Sequence, residues 1–145
     1  MSDLRLERTF PHPPERVFAF VTEARHLLSW WGPEGMSLRE HQLDLSRPGA
    51  WFTTLVNPEG GLHKMSGVVL EIDPPRSVEF TWGWHDAEDI RGRESRVRFE
   101  IEPDGTTGSR FRLIHSGLAD ATSVSNHSRG WSSMLGKLER LAGAT

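Results

Sequence analysis

Hydrophobic and polar positions change their spacing several times along this chain, and each change marks an element. Leu4, Leu6 and Phe10 alternate with Arg5, Glu7 and Thr9, the period of an opening strand. In "PHPPERVFAFVTEARHLLSWWG" the period becomes helical: Pro13 and Pro14 suit a first turn, Val17, Phe18 and Val21 share a face, and Thr22 is placed to cap a second short helix ending at Gly32. Strand patterns then follow one another at about 36 to 45, 50 to 57, 63 to 72, 77 to 85, 93 to 102 and 109 to 116, broken by "SRPGA", "NPEGG", "DPPR", "HDAEDIRGR" and "PDGTTG". Six strands in succession predict an antiparallel meander.

The clearest alternation is "VEFTWGW". Val78, Phe80, Trp82 and Trp84 fall on one face, with Glu79, Thr81 and Gly83 on the other, so the sheet is covered on one side. The cover is the final segment, in which Asp120 is an N-cap and Val124, Trp131, Leu135, Leu138 and Leu141 recur at helical spacing. Gly130 and Gly136 each weaken that helix by about 1 kcal/mol relative to Ala, so packing has to compensate. The fold class is α+β: a curved antiparallel sheet wrapped around a long C-terminal helix, with two short helices after the first strand. No repeat, low-complexity tract or linker divides the 145 residues, which predicts a single domain over 1–145.

Composition narrows the chemistry. There is no cysteine, so disulfides, thiolate metal sites and thiol nucleophiles are excluded. Seventeen basic and 20 acidic residues give a net charge of −3 with neither sign in a block, and no basic footprint for nucleic acid emerges. The N-terminus has no apolar signal core and no run approaches the roughly 20 apolar residues of a membrane span, so a cytoplasmic protein is expected.

Six tryptophans and no tyrosine are the main departure from ordinary composition. Burying ~150–250 Å² per ring at ~25 cal/mol per Å² amounts to roughly 4–6 kcal/mol each as an upper bound, so these rings fill a core or line a hollow. Seven histidines offer no His-x-x-x-His or His-Glu-x-x-His pair, and no metal or other cofactor is expected. His115 continues the inward alternation of Phe111 and Leu113, and His127 lies one turn before Trp131. A histidine opening into an apolar pocket would orient a ligand or move a proton; the plainer alternative is a satisfied histidine at a strand end.

No Gly-x-Ser-x-Gly elbow occurs, and the His–Ser neighbours in "HSGL" and "HSRGW" do not by themselves bring a nucleophile to its base, so no catalytic residues are assigned. "NPEGGLH" and "PDGTTGS" are hairpin turns, not phosphate loops. Glu79 and Glu100 alternate outward with Arg96, Arg98, Arg110 and Arg112, a solvated face; Glu40 and Glu71 are not placed by the pattern.

The order of "RTFPHPPERVFAFVTEARHLLSWWGPEGM", "RPGAWF", "GVVLEIDPPRSVEFTW", "VRFEIEPDGTTGSRFRLIHSGL" and "HSRGWSSMLGKLERL" resembles the activator of 90-kDa heat-shock protein ATPase homologue family, within the SRPBCC (START-like, Bet v 1-like, helix-grip) superfamily. The resemblance covers nearly the whole chain. It implies a space between sheet and helix, with Trp82, Trp84 and Trp131 lining it and Trp30 and Trp31 forming a lid corner, one ring inward and one at the mouth near the loop after Trp84. The expected ligand-lining set is Trp30, Trp31, Met65, Phe80, Trp82, Trp84, Phe99, Leu113, His115, His127, Trp131 and Leu135. Superfamily members include lipid carriers, cyclases and receptors, so the resemblance leaves function open.

The leading expectation is a protein that binds a small apolar or aromatic ligand, with no covalent chemistry required. One alternative is a polyketide cyclase- or hydratase-like enzyme using His115 or an inward glutamate in the same cavity. The other is a protein-interaction module, a co-chaperone or regulator, with homodimerisation open. The family's eukaryotic co-chaperone carries a separate N-terminal domain, and this chain opens directly on the helix-grip domain, so a chaperone partner is not expected.

Overall fold

The structure, a computed structural model, describes residues 2–144; Met1 and Thr145 of the expected domain span lie outside the described residues. The elements run β1 (Ser2–Phe10), α1 (Pro14–Thr22), α2 (Ala24–Trp30), β2 (Ser37–Gln42), β3 (Gly49–Val56), β4 (Leu62–Asp73), β5 (Ser77–His85), β6 (Arg91–Asp104), β7 (Gly108–Leu118) and α3 (Ala121–Ala144). The seven strands form one antiparallel sheet in the order β1-β7-β6-β5-β4-β3-β2. β2 through β7 are the expected meander, and β1 closes the far edge by pairing with β7. Curvature brings the sheet around α3. No helix of the described residues is long and apolar enough to cross a membrane.

Local chemistry accounts for the helix boundaries. Pro13 occupies the N-cap position of α1 and Pro14 its first helical position, where a missing N–H loses nothing. Asp120 caps α3, accepting from the Ser123 N–H at 2.9 Å. Thr22 departs from expectation. It is buried, and its hydroxyl donates back to the Phe18 carbonyl at 2.6 Å, so it closes α1 instead of capping α2, which starts after an uncapped Glu23. α2 ends at Trp30, two residues before Gly32; Trp31 is already extended, and Gly32 takes the left-handed φ of 91° that lets the chain turn.

One core joins the apolar face of the sheet to α1, α2 and α3. Phe80, Phe99, Phe111 and Leu113 contribute from the strands and Trp131, Leu135 and Leu138 from α3, all buried. The outer face is polar as expected: Glu79 pairs with Arg96 at 3.1 Å, and Glu100 with Arg98 at 2.7 Å and Arg112 at 3.1 Å. Glu40 and Glu71 are exposed too. Such surface pairs contribute only tenths of a kcal/mol each, so the one-sided core carries the fold.

Candidate functional site

The six tryptophans form one connected aromatic body. Trp31 touches Trp30, Trp51, Trp82 and Trp131, each with ring centroids 5.8 Å apart, and Trp82 also meets Trp131 at 5.2 Å and Trp84 at 5.7 Å. Tilted and edge-to-face contacts of this kind add roughly 0.5–1.5 kcal/mol per pair beyond area burial.

At one side of it lies a hollow of about 360 Å³ between β3, β4, β5 and α3. Six of the twelve expected lining residues border it: Trp31, Met65, Trp82, Trp84, His127 and Trp131. The sequence reading missed Pro33, Leu55, His63, Asn126, Gly130 and Met134. The face of α3 carrying Asn126, Gly130 and Met134 was identifiable from its spacing, but its small and polar members did not look like a wall. Among the described residues, no Asp, Glu, Lys or Arg borders the hollow.

The other six expected residues sit in the packed core. Phe80, Phe99, Leu113 and, on α3, Leu135 are fully buried beneath the tryptophans, because strand and helix periodicity identify the inward face without saying how far along the element the hollow reaches. Trp30 is also fully buried, and its indole N–H donates to the Phe20 carbonyl at 2.9 Å. It is a plug, and the expected lid corner is tied down: Trp31 is 2% exposed and donates to Thr53 Oγ1 at 3.1 Å. Lys137 on α3 fastens the Gly32 carbonyl at 2.8 Å, and Ser133 Oγ accepts from the Glu34 N–H. The ring at the mouth is Trp84, 38% exposed. The loop after Trp84 does not border the hollow.

His115 likewise lies under the wall, fully buried. Its Nδ1 accepts from the Trp131 indole N–H at 3.0 Å, and an indole can only donate. The neutral ring therefore carries its proton on Nε2, which donates to Ser95 Oγ at 2.7 Å, and the Ser95 hydroxyl passes on to the Trp82 carbonyl. Burial, and then the neighbouring His127, push the His115 pKa down to about 3. It is the satisfied histidine of the plainer alternative and exchanges no proton near neutral pH.

His127 is held in the opposite sense. Nδ1–H donates to the Ser123 carbonyl at 2.8 Å, leaving Nε2 to accept from the Trp84 indole N–H at 3.0 Å. That bond ties the exposed ring to α3 across the mouth. Beside it, Trp82 Nε1 is the single buried side-chain nitrogen or oxygen among the described residues with no hydrogen-bond partner. A buried orphan donor costs about 1–3 kcal/mol, unusual in so well-packed a body.

Sequence reading also missed a second cluster, on the opposite face of the sheet, where Ser66, His85, Asp89 and Arg91 converge. They come from β4, β5, the turn after it and β6, and only strand register brings them together.

Comparison with known proteins gives a consistent picture. The family model described as "Activator of Hsp90 ATPase homolog 1-like protein" matches residues 11–143. The crystal structure of the AHSA1 protein from Silicibacter pomeroyi is similar at 47% identity with a TM-score of 0.94, covering 99% of each chain. A protein from Chromobacterium violaceum is 25% identical with a TM-score of 0.84, over 97% of this chain and 96% of that one. One from Mycobacterium smegmatis, at 20% identity and a TM-score of 0.81 over 99% and 91%, shares the fold. No curated protein matches.

Proposed function

Since the chain belongs to the Activator of Hsp90 ATPase homolog 1-like family, whose fold leaves room between sheet and helix, we propose that it binds a small, uncharged aromatic ligand in the tryptophan-lined hollow. The observation that carries this reading is the lining itself: Trp31, Trp82, Trp84 and Trp131 border about 360 Å³ with no formally charged side chain among the lining residues. Ligand pockets span about 300–1,000 Å³, and ~150 Å³ suffices for benzene, so the space suits a one- or two-ring molecule. A charged ligand would be desolvated there without a counter-charge.

Orientation comes from the few polar groups. Trp82 borders the hollow, and its unpartnered N–H, itself buried, becomes a donor to a ligand's carbonyl or ether oxygen once the ring shifts toward the space. At the rim, the His63 Nε2 lies 3.0 Å from the Asn57 side-chain nitrogen. Trp84 stands at the rim, bonded to His127 and in contact with Trp82, so its displacement widens the entrance at the expense of that bond and that ring contact.

Tryptophan fluorescence titrated with acetophenone and 2-acetylnaphthalene, with naphthalene as the acceptor-free control, tests this directly. Saturable quenching is expected, strongest for the ketones. Gly130→Leu should abolish it: a Cβ there meets only Pro33 at 3.8 Å, so the added side chain occupies the hollow without a backbone clash. Absence of saturable quenching in the wild type, or quenching indifferent to Gly130→Leu, would remove the hollow from consideration.

A further inference from the structure

Met65 faces the hollow, so the next residue on β4, Ser66, faces the other side of the sheet. Antiparallel register sets Ser66 opposite Gly83 of β5 and opposite Phe52 of β3. Ser66 Oγ lies 2.7 Å from His85 Nε2, and His85 Nδ1 lies 2.8 Å from Asp89 Oδ1. A serine, a histidine and a carboxylate are thus in line, each at hydrogen-bonding distance from the next.

Proton positions follow from what each partner is able to do. Arg91 only donates: its Nε bonds to Ser66 Oγ at 3.2 Å and its Nη2 to the Ser66 carbonyl at 3.0 Å. Asp89 is ionised, its carboxyl held below the usual range chiefly by the hydrogen bond from Lys64, with His85 adding to it. The carboxylate therefore takes the Nδ1–H of His85, Nε2 is bare, and the Ser66 hydroxyl donates to it. This is the polarity that general-base activation of a hydroxyl requires.

Two backbone features accompany this arrangement. A Cβ on Gly83 would lie 2.6 Å from Cζ and Nε of Arg91, so the strand gives up a side chain where the guanidinium crosses to Ser66. Asp89 adopts φ 63°, a left-handed conformation uncommon outside glycine, fixed by its N–H to the Asp86 carbonyl at 3.0 Å. That turn aims its carboxylate back at His85. The His85 side chain is 11% exposed, while Asp89 is 64% exposed.

We propose that Ser66 is a nucleophile for acyl transfer from short-chain carboxylic esters, with His85 as its base, Asp89 as a positioning residue and Arg91 as the stabiliser of the oxyanion. Ser66 Oγ attacks the ester carbonyl carbon while its proton passes to His85 Nε2. The tetrahedral intermediate puts its negative oxygen beside the Arg91 guanidinium, whose Nε already bonds Ser66 Oγ at 3.2 Å and whose Nη1 is paired with Glu94 at 3.0 Å, so the oxyanion draws on its charge in competition with Glu94. Collapse breaks the bond to the alcohol, which leaves with the proton from His85. Water then attacks the acyl-serine, giving its proton to Nε2; collapse releases the carboxylic acid and returns the proton to Ser66. Half-buried Phe52 and exposed Val68, two residues along β4, give the acyl chain an apolar surface without enclosing walls. Short, activated esters fit that openness best.

Labelling with a fluorophosphonate, located by mass spectrometry, and turnover of p-nitrophenyl butyrate test the proposal. The adduct is expected on Ser66. Ser66→Ala and His85→Ala should each lower turnover about 100-fold or more, and Asp89→Asn should slow labelling to a similar degree while the unfolding midpoint stays in place. Because the chain has no cysteine, Ser66→Cys offers a second, single-site readout: iodoacetamide should alkylate it about 10-fold faster than it alkylates the Ser66→Cys, His85→Ala double variant. Turnover surviving Ser66→Ala, a label on another serine or none, or an alkylation rate indifferent to His85 would each overturn the assignment.

Discussion

His115 and His85 each hold a serine hydroxyl 2.7 Å from Nε2, yet the two pairs run in opposite directions. On His115, the other nitrogen meets an indole N–H, which makes Nε2 the donor and Ser95 the acceptor. On His85, the other nitrogen meets a carboxylate, which makes Nε2 the acceptor and Ser66 the donor. Proximity of serine to histidine is common to both; the third group decides whether the pair is a strut or a base. Burial reinforces the contrast. His115 lies sealed beneath the tryptophans with its pKa depressed to about 3, while His85 lies on the outer face beside an ionised Asp89.

The largest effect that would break this comparison is in acid. The folded protein refuses a proton on His115 until about pH 3, whereas the unfolded chain takes it near the ordinary 6.5. Between those values the unfolded state binds more protons, so stability is complete above pH 6.5 and is lost as the pH falls, by up to about 5 kcal/mol. Urea unfolding at pH 7 and pH 4 should therefore differ far less in His115→Gln than in the wild type. Equal acid sensitivity in the two would mean that His115 is not the sealed group described.

Next in size is Trp131→Phe, which keeps a ring but removes the donor to His115 Nδ1. About 1–3 kcal/mol should be lost in the same unfolding measurement, the penalty of an unsatisfied buried acceptor. A change near zero would show that the indole bond does not fix the histidine.

Trp84→Ala should cost about 1–2 kcal/mol, less than truncating an enclosed ring, because the ring is 38% exposed and its one hydrogen bond is at the rim, although it still covers Trp82. Its consequence should be kinetic: stopped-flow association of 2-acetylnaphthalene should be faster than in the wild type. Slower or unchanged association would assign the gate to another residue.

How far the sequence reached differs between the two faces. The alternation of "VEFTWGW" and of Phe111, Leu113 and His115 identified the inward face, since period-2 patterning is what a half-buried strand requires. Depth along that face was not legible, which is why Phe80, Phe99, Leu113, Leu135 and His115 were expected around a hollow and are found beneath it. The Trp30–Trp31 corner was expected to be a lid, because nothing local reveals the tie from Lys137, 105 residues away. Thr22 read as a cap by position alone, while burial turned its hydroxyl back onto α1.

On the outer face the stripe of glutamates and arginines was legible, but the serine–histidine–carboxylate cluster was not. Ser66, His85 and Asp89 are 19 and four residues apart and meet only because β4 and β5 pair in one register. Gly83 was the available hint. A glycine inside a strand as apolar as "VEFTWGW" marks a close approach by something else, here the Arg91 guanidinium.

Nitrogen-15 chemical shifts of the two imidazoles, from a long-range correlation spectrum at pH 7.5, test the comparison most directly. Opposite tautomers are predicted: Nε2 protonated and Nδ1 bare in His115, Nδ1 protonated and Nε2 bare in His85. The same tautomer in both rings would contradict the account, because the group on the far nitrogen would then not set the direction of the serine bond.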